Sequence, residues 1–170
     1  MRRIFFVVLL TIFFYSAFNQ ALAINSNTLN RLSELFENII AGTSNPAKHN
    51  FCRIIKNLNQ DTLSCEIYQN YPDGHSELAT RIDLDDFPIN PNPIKPADEQ
   101  KKINNYGVYI WYDKVYAGPM HPKITIKTHI FQLTSSLKMT ITCWEHHKCY
   151  AEEMIKSLDK QKILKITGGR

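Results

Sequence analysis

Between Thr28 and Ala41 the apolar residues Leu29, Leu32, Leu35, Phe36, Ile39 and Ile40 recur three or four apart, the spacing of a helix that buries one stripe. Asn27 or Thr28 can cap its start, and Gly42 can end it. Beyond Pro46 the rhythm becomes alternating. Phe51 to Leu58 and Thr62 to Gln69 read as two strands joined at Asn57-Leu58-Asn59-Gln60-Asp61. Tyr71-Pro72-Asp73-Gly74 is a turn signal, behind which Leu78, Thr80, Ile82 and Leu84 alternate with Ala79, Arg81 and Asp83 as a third strand would. In the second half, Val108, Ile110 and Tyr112 alternate with Tyr109, Trp111 and Asp113. The next strand carries Ile124, Ile126, Thr128 and Ile130 on one face, and Thr125, Lys127, His129 and Phe131 on the other. After Thr134-Ser135-Ser136, Leu137, Met139, Ile141 and Cys143 mark the inner face of a partner strand.

From about His147 the period is helical again, through Tyr150, Ala151, Met154, Ile155 and Leu158, and Ile163, Leu164 and Ile166 suggest a last short strand. Between the halves, residues 85–105 hold Pro88, Pro91, Pro93 and Pro96, which deny the segment regular ladder bonds and predict a long surface loop. Such a loop is either a crossover between two halves of a sheet or a binding element. An N-terminal amphipathic helix, an antiparallel sheet of five to six strands and a C-terminal helix define an α+β domain.

The start of the chain alters the view of its charge. Arg2 and Arg3 precede an almost continuous apolar run from Ile4 to Phe18, and Ala21-Leu22-Ala23 offers the small residues that signal peptidase requires. The run is shorter than the ~20 residues that span a bilayer. The expectation is therefore a signal peptide over residues 1–23, cut after Ala23, and a single exported domain over residues 24–170, in a periplasm or the extracellular medium, with no stable membrane anchor after cleavage. The n-region style and a composition rich in Asn, Ile and Lys suggest a bacterial source. Loss of Arg2 and Arg3 takes Lys+Arg from 20 to 18 against 16 acidic residues, too weak a balance to suggest a nucleic-acid partner.

Export gives the four cysteines their meaning. Cys52, Cys65, Cys143 and Cys149 form an even set bound for an oxidising compartment. Three pairings exist, and local spacing favours Cys52–Cys65 with Cys143–Cys149 over the crossed arrangement, which would tie the hairpin to the C-terminal region. Each bridge is worth roughly 2–3 kcal/mol by chain-entropy reasoning. Cys143, His146, His147 and Cys149 could be read as zinc ligands. Their spacing lacks the two separated pairs of a structural zinc site, and an exported cysteine pair is usually oxidised, so no metal is expected.

Chemistry is thinly marked. The sequence holds no nucleophile elbow, phosphate loop, dinucleotide fingerprint or His-Glu-x-x-His helix, so no cofactor is expected. Six histidines leave room for general acid–base catalysis, as in a small nuclease-like hydrolase, with His129, His147 and Glu145 as the alternative catalytic set. His129 and Lys127 share a strand face, which reads equally as an exposed polar outer face. Tyr109 and Trp111 point together away from the core, suited to an interface. If bridged, Cys143-Trp144-Glu145-His146-His147-Lys148-Cys149 is a rigid loop presenting Trp144, His146 and His147.

That segment resembles the short, Cys-flanked, His-bearing loop by which periplasmic inhibitors of vertebrate lysozyme plug the enzyme's active site. It has one more intervening residue and lies near the C-terminus rather than mid-chain. Ile126-Lys127-Thr128-His129-Ile130-Phe131, followed by Ser136-Leu137, is similar to a late strand of the VirK-like exported proteins of pathogenic bacteria. The resemblances imply an exported inhibitor or virulence-associated binding protein rather than an enzyme, with another protein as its partner. Intact-mass measurement of the exported protein should give a chain starting at Ile24 and lighter by four thiol hydrogens than its reduced form. A mass that retains the N-terminal segment would exclude cleavage, and one that retains the thiol hydrogens would exclude the bridges.

Overall fold

The computed structural model describes residues 26–43, 50–56, 62–85, 95–116 and 123–169. The expected signal peptide and its cleavage site lie outside the described residues. Helix α1 (Ser26–Gly42) is followed by strands β1 (Asn50–Ile55), β2 (Thr62–Asn70), β3 (Ser76–Asp85), β4 (Glu99–Ile103), β5 (Tyr106–Tyr116), β6 (Lys123–Gln132) and β7 (Lys138–Trp144). Helices α2 (Ala151–Ser157) and α3 (Lys160–Thr167) follow. The strands form one antiparallel sheet in the order β1-β2-β3-β7-β6-β5-β4, an α+β architecture.

Alternation selects the buried face. Leu63, Cys65 and Ile67 of β2, Ile82 and Leu84 of β3, Met139, Ile141 and Cys143 of β7, Phe131 of β6 and Val108 and Ile110 of β5 sit in successive registered pairs and are buried. The apolar stripes of the helices cover this face: Leu29, Leu32, Leu35, Phe36 and Ile40 from α1, Ala151, Met154 and Ile155 from α2, and Ile163 from α3 form one continuous core with it. No helix among the described residues is long and apolar enough to cross a membrane.

Among the described residues the sheet has seven strands rather than five to six. The additional strand, β4, lies inside the segment read as an irregular loop over residues 85–105, while β3 runs on through Asp85. Glu99, Gln100, Lys101 and Lys102 conceal it, because an edge strand carries charge on both faces where its unpaired side meets water. From β3, beside β7 near the centre, the chain must reach the far edge at β4, four strand positions or roughly 19 Å away, so the connection is a crossover.

At the C-terminus two helices replace one helix and a short strand. Leu158 is extended and ends α2; Asp159 then caps α3, its carboxylate accepting hydrogen bonds from the Gln161 and Lys162 amides at 2.9 and 3.1 Å. Gly168 closes α3 in the left-handed region at φ 72°. Ile163 and Ile166 are thus neighbours on a helix face, not on a strand.

Both bridges join local partners. Cys52 and Cys65 face each other across β1 and β2, and Cys143 at the end of β7 bonds Cys149 just before α2. The tight β4–β5 turn places Asn104 and Asn105 at φ 46° and 66°, a region that asparagine tolerates better than most residues. The Asn104 amide reaches the carbonyls of Ile155, Lys156 and Leu158 at 3.1, 3.2 and 2.9 Å, satisfying the end of α2. Asn104→Gly keeps the turn's backbone freedom and removes only these bonds. It should lower the free energy of urea unfolding by about 1–2 kcal/mol; an unchanged midpoint would mean that the cap carries no weight.

Candidate functional site

A cluster of polar side chains lies where the β2–β3 hairpin meets the Cys143–Cys149 loop. The hairpin closes through Tyr71, whose amide donates to the His75 carbonyl at 3.0 Å and whose carbonyl accepts from the Gly74 amide at 3.0 Å, with Gly74 at φ 90°. Register shifts between Ile67 and Tyr68, leaving Ala79 as an extra residue in β3. The bulge reverses alternation toward the turn, so that Glu77, opposite Gln69, falls on the side of the bridged loop.

There His147 is held on both ring nitrogens. Nε2 lies 3.2 Å from Glu77 Oε2, Nδ1 lies 3.1 Å from the Tyr71 hydroxyl, and only 3% of the side chain is exposed. This fits a neutral ring that donates from Nε2 and accepts at Nδ1. Glu77 meets a second imidazole through its other oxygen, with His75 Nε2 at 3.5 Å from Oε1. His75 also stacks on Tyr71 at 4.4 Å and pairs with Asp73 through Nδ1. Burial pushes the His147 pKa down, outweighing the pull of Glu77, and His146 beside it adds to the lowering. Burial and the Glu77 charge push Tyr71 up, away from a reactive phenolate. The assembly therefore braces the loop: neither His147 nitrogen is open to a substrate, and Tyr71 is not activated.

The expected site residues separate into three places. His146 and Glu145 are exposed on the loop, with the Glu145 amide donating to the Thr125 carbonyl at 3.0 Å. Trp144, half-buried, faces the other side of the sheet. Tyr109 and Trp111 share that outer face, two strands away across β6, with ring centroids 6.2 Å apart. The Trp111 indole N–H donates to the Lys95 carbonyl at 3.2 Å, so it fastens the chain leading into β4 as well as facing outward.

His129 departs most from expectation. Far from lying on an exposed polar face, it is wholly buried on the core face between Ile110 of β5 and Ile141 of β7. The reason is parity: β6 carries apolar residues on both faces, and pairing of Phe131 with Met139 and Val108 draws the His129 face inward. Neither ring nitrogen has a hydrogen-bond partner. The pKa is pushed down to about 4, first by burial and then by Lys127, while the nearby Ile141 backbone and Glu152 offset this only in part. A His129–His147–Glu145 catalytic set is not assembled as a solvent-facing group, because His129 is sealed and His147 is engaged.

The hairpin partners Tyr71, His75 and Glu77 escaped sequence reasoning, since nothing along the chain links residue 77 to residue 147. Comparison with protein-family models, with curated proteins and with solved structures finds no match to this chain.

The buried imidazole makes a pH prediction. With its folded pKa at about 4, below the 6.5 of the free side chain, His129 is neutral in the native state while the unfolded chain takes up a proton. Its contribution to stability is present above pH 6.5 and is lost as pH falls from there toward 4, by on the order of 3 kcal/mol, with His147 acting in the same direction. Urea unfolding of the oxidised protein should show this fall, and His129→Leu should flatten it. An equally steep fall in the variant would place the effect elsewhere.

Proposed function

We propose that this chain is an exported binding protein whose partner is another protein, contacted through the end of the sheet where the bridged loop stands on the hairpin turn. The observation that carries this reading is the double anchorage of His147 on Glu77 and Tyr71. A loop tied by a disulfide at its base and by a buried imidazole near its tip has little freedom left to lose on association, and such preorganisation is what a protruding binding loop requires. Around that anchor the loop presents His146 and Glu145, the turn presents His75 and Asp73, and Trp144 flanks them on the outer face. His147 thus supports the contact surface instead of making the contact. The apolar N-terminal segment and the two disulfides support export.

Affinity capture with the oxidised mature protein tests the surface. A partner held by the unchanged chain should be lost by His146→Ala with Trp144→Ala, weakened by His147→Ala through loosening of the loop, and kept by Lys102→Ala at the opposite edge. Equal recovery by the His146/Trp144 double variant would overturn the assignment of the surface.

A further inference from the structure

A buried histidine with two unpartnered nitrogens stands directly against one of the two disulfides. His129, Cys143 and Cys149 each offer a ligand atom, and these atoms all lie within 4.8 Å of one another. We propose that reduction of the Cys143–Cys149 bridge converts this corner of the core into a binding site for a thiophilic d10 cation such as Zn²⁺, held by both cysteine thiolates and the His129 imidazole. This inference does not depend on the binding function proposed above.

Three observations support it. The His129 ring is fully buried and neither nitrogen has a well-formed hydrogen bond, the Ile141 backbone making only a loose approach, an arrangement that ordinarily costs stability unless the polar atoms find a partner. A nitrogen of this ring and the two cysteine sulfurs all lie within 4.8 Å of one another, close enough to share one ion. The backbone already suits two separate sulfurs: Cys143 and Cys149 stand 5.4 Å apart at Cα, and two thiolates on one zinc sit roughly 3.8 Å apart, given Zn–S bonds of about 2.3 Å. Soft thiolates joined by one imidazole favour Zn²⁺ or Cu⁺ over Mg²⁺ or Ca²⁺. The site differs from one built on the loop's own histidines, because His147 is committed to Glu77 and Tyr71.

The exchange balances with a dithiol as reductant. Its thiolate attacks the sulfur of Cys149, the half-buried residue of the pair, Cys143 being almost fully buried. The Cys143–Cys149 bond breaks and a mixed disulfide forms on Cys149; the second reductant thiol then closes the reductant's own disulfide and releases Cys149. Two electrons and two protons have passed to the protein, leaving two thiols. Binding of the cation displaces those two protons, and His129 donates its lone pair without losing a proton.

The Cys52–Cys65 pair supplies an internal control. Cys65 lies at the register level of His129 but three strands away through Ile82 and Ile141, roughly 14 Å, beyond ligand reach. Reduced with a phosphine, the protein should bind one Zn²⁺ per chain in competition with a chromophoric chelator, and the oxidised protein should bind none. Cys52→Ser with Cys65→Ser should leave that stoichiometry intact, and Cys143→Ser with Cys149→Ser should abolish it. His129→Leu should weaken binding more than about 100-fold, beyond the usual loss from a merely supporting contact. Cu⁺ in a parallel titration decides which ion is held more tightly. Nitrogen NMR of the unchanged chain should show one His129 ring nitrogen shifting with Zn²⁺, a readout that does not rely on the variant's folding. If reduction unfolds the chain, one equivalent of Zn²⁺ should restore its circular dichroism. Absence of Zn²⁺ binding, a stationary His129 resonance, equal binding by His129→Leu, or failure to refold with Zn²⁺ would each overturn the proposal.

Discussion

The bond between Cys143 and Cys149 is the constraint on which the two ends of this structure depend. It lies where the last strand gives way to the last helices, and it requires the five intervening residues to turn within a few ångströms. On one side that turn presses His147 onto Glu77 and Tyr71, fixing the loop against a hairpin more than 70 residues earlier in the chain. On the other, it brings Tyr150 and Ala151 down onto the sheet so that α2 starts over the core and reaches Asn104 at its far end. Without the covalent link, α2 would rely on a single short apolar stripe, and helices of this length are marginal when left to themselves.

The charged groups of the outer face are paired, although the buried Ser64 hydroxyl among them is not. On the outer face, Glu66 is buried but satisfied, with Arg53 at 3.3 Å and the Tyr68 hydroxyl at 2.9 Å, and Arg81 meets Asp83 at 3.0 Å. These pairs let a flat strand surface carry charge without leaving it unpaired. On the inner face, His129 has no such company. Its neighbours in register are Ile110 and Ile141, and the Cys143 and Cys149 sulfurs lie within 4.8 Å of its ring nitrogen. A leucine would fill the same place without the desolvation that depresses this pKa, so the imidazole sits at a position where stability alone would not select it.

How much of this was legible in the sequence follows from which interactions are local. The α1 stripe, the Tyr71–Gly74 turn, both cysteine pairs and the inward direction of Val108 and Ile110 could be read because each is set within a short stretch of chain, the widest being the 13 residues from Cys52 to Cys65. The strand β4 was missed because an edge strand with one neighbour has no apolar alternation to reveal it, and α3 was misread because four residues with three apolar members fit either period. The face of His129 was undecidable from β6 alone: Ile126 and Ile130 argue for one side and Phe131 for the other, and only pairing with Met139 and Ile141 decides. Tyr71, His75 and Glu77 joined the site through a bulge at Ala79 and a contact between distant segments, neither of which leaves a periodic trace.

The same bridge holds two incompatible possibilities apart. While the sulfurs are joined, the loop is held at its base and His147 stays in its slot, the condition under which the proposed binding surface of His146, Glu145 and Trp144 keeps its shape. When they are separated, as proposed above, Cys143 and Cys149 can turn to a cation beside His129, and the new bonds hold the base of the loop against the core while the His147 contacts with Glu77 and Tyr71 still hold its tip. The two states therefore compete for the same five residues, and the reducing power around the protein decides between them. In an oxidising compartment the bridged form is the stable one. The metal-holding form requires a dithiol and a thiophilic ion together, so the buried imidazole would couple the shape of an exposed loop to chemistry in the core beneath it.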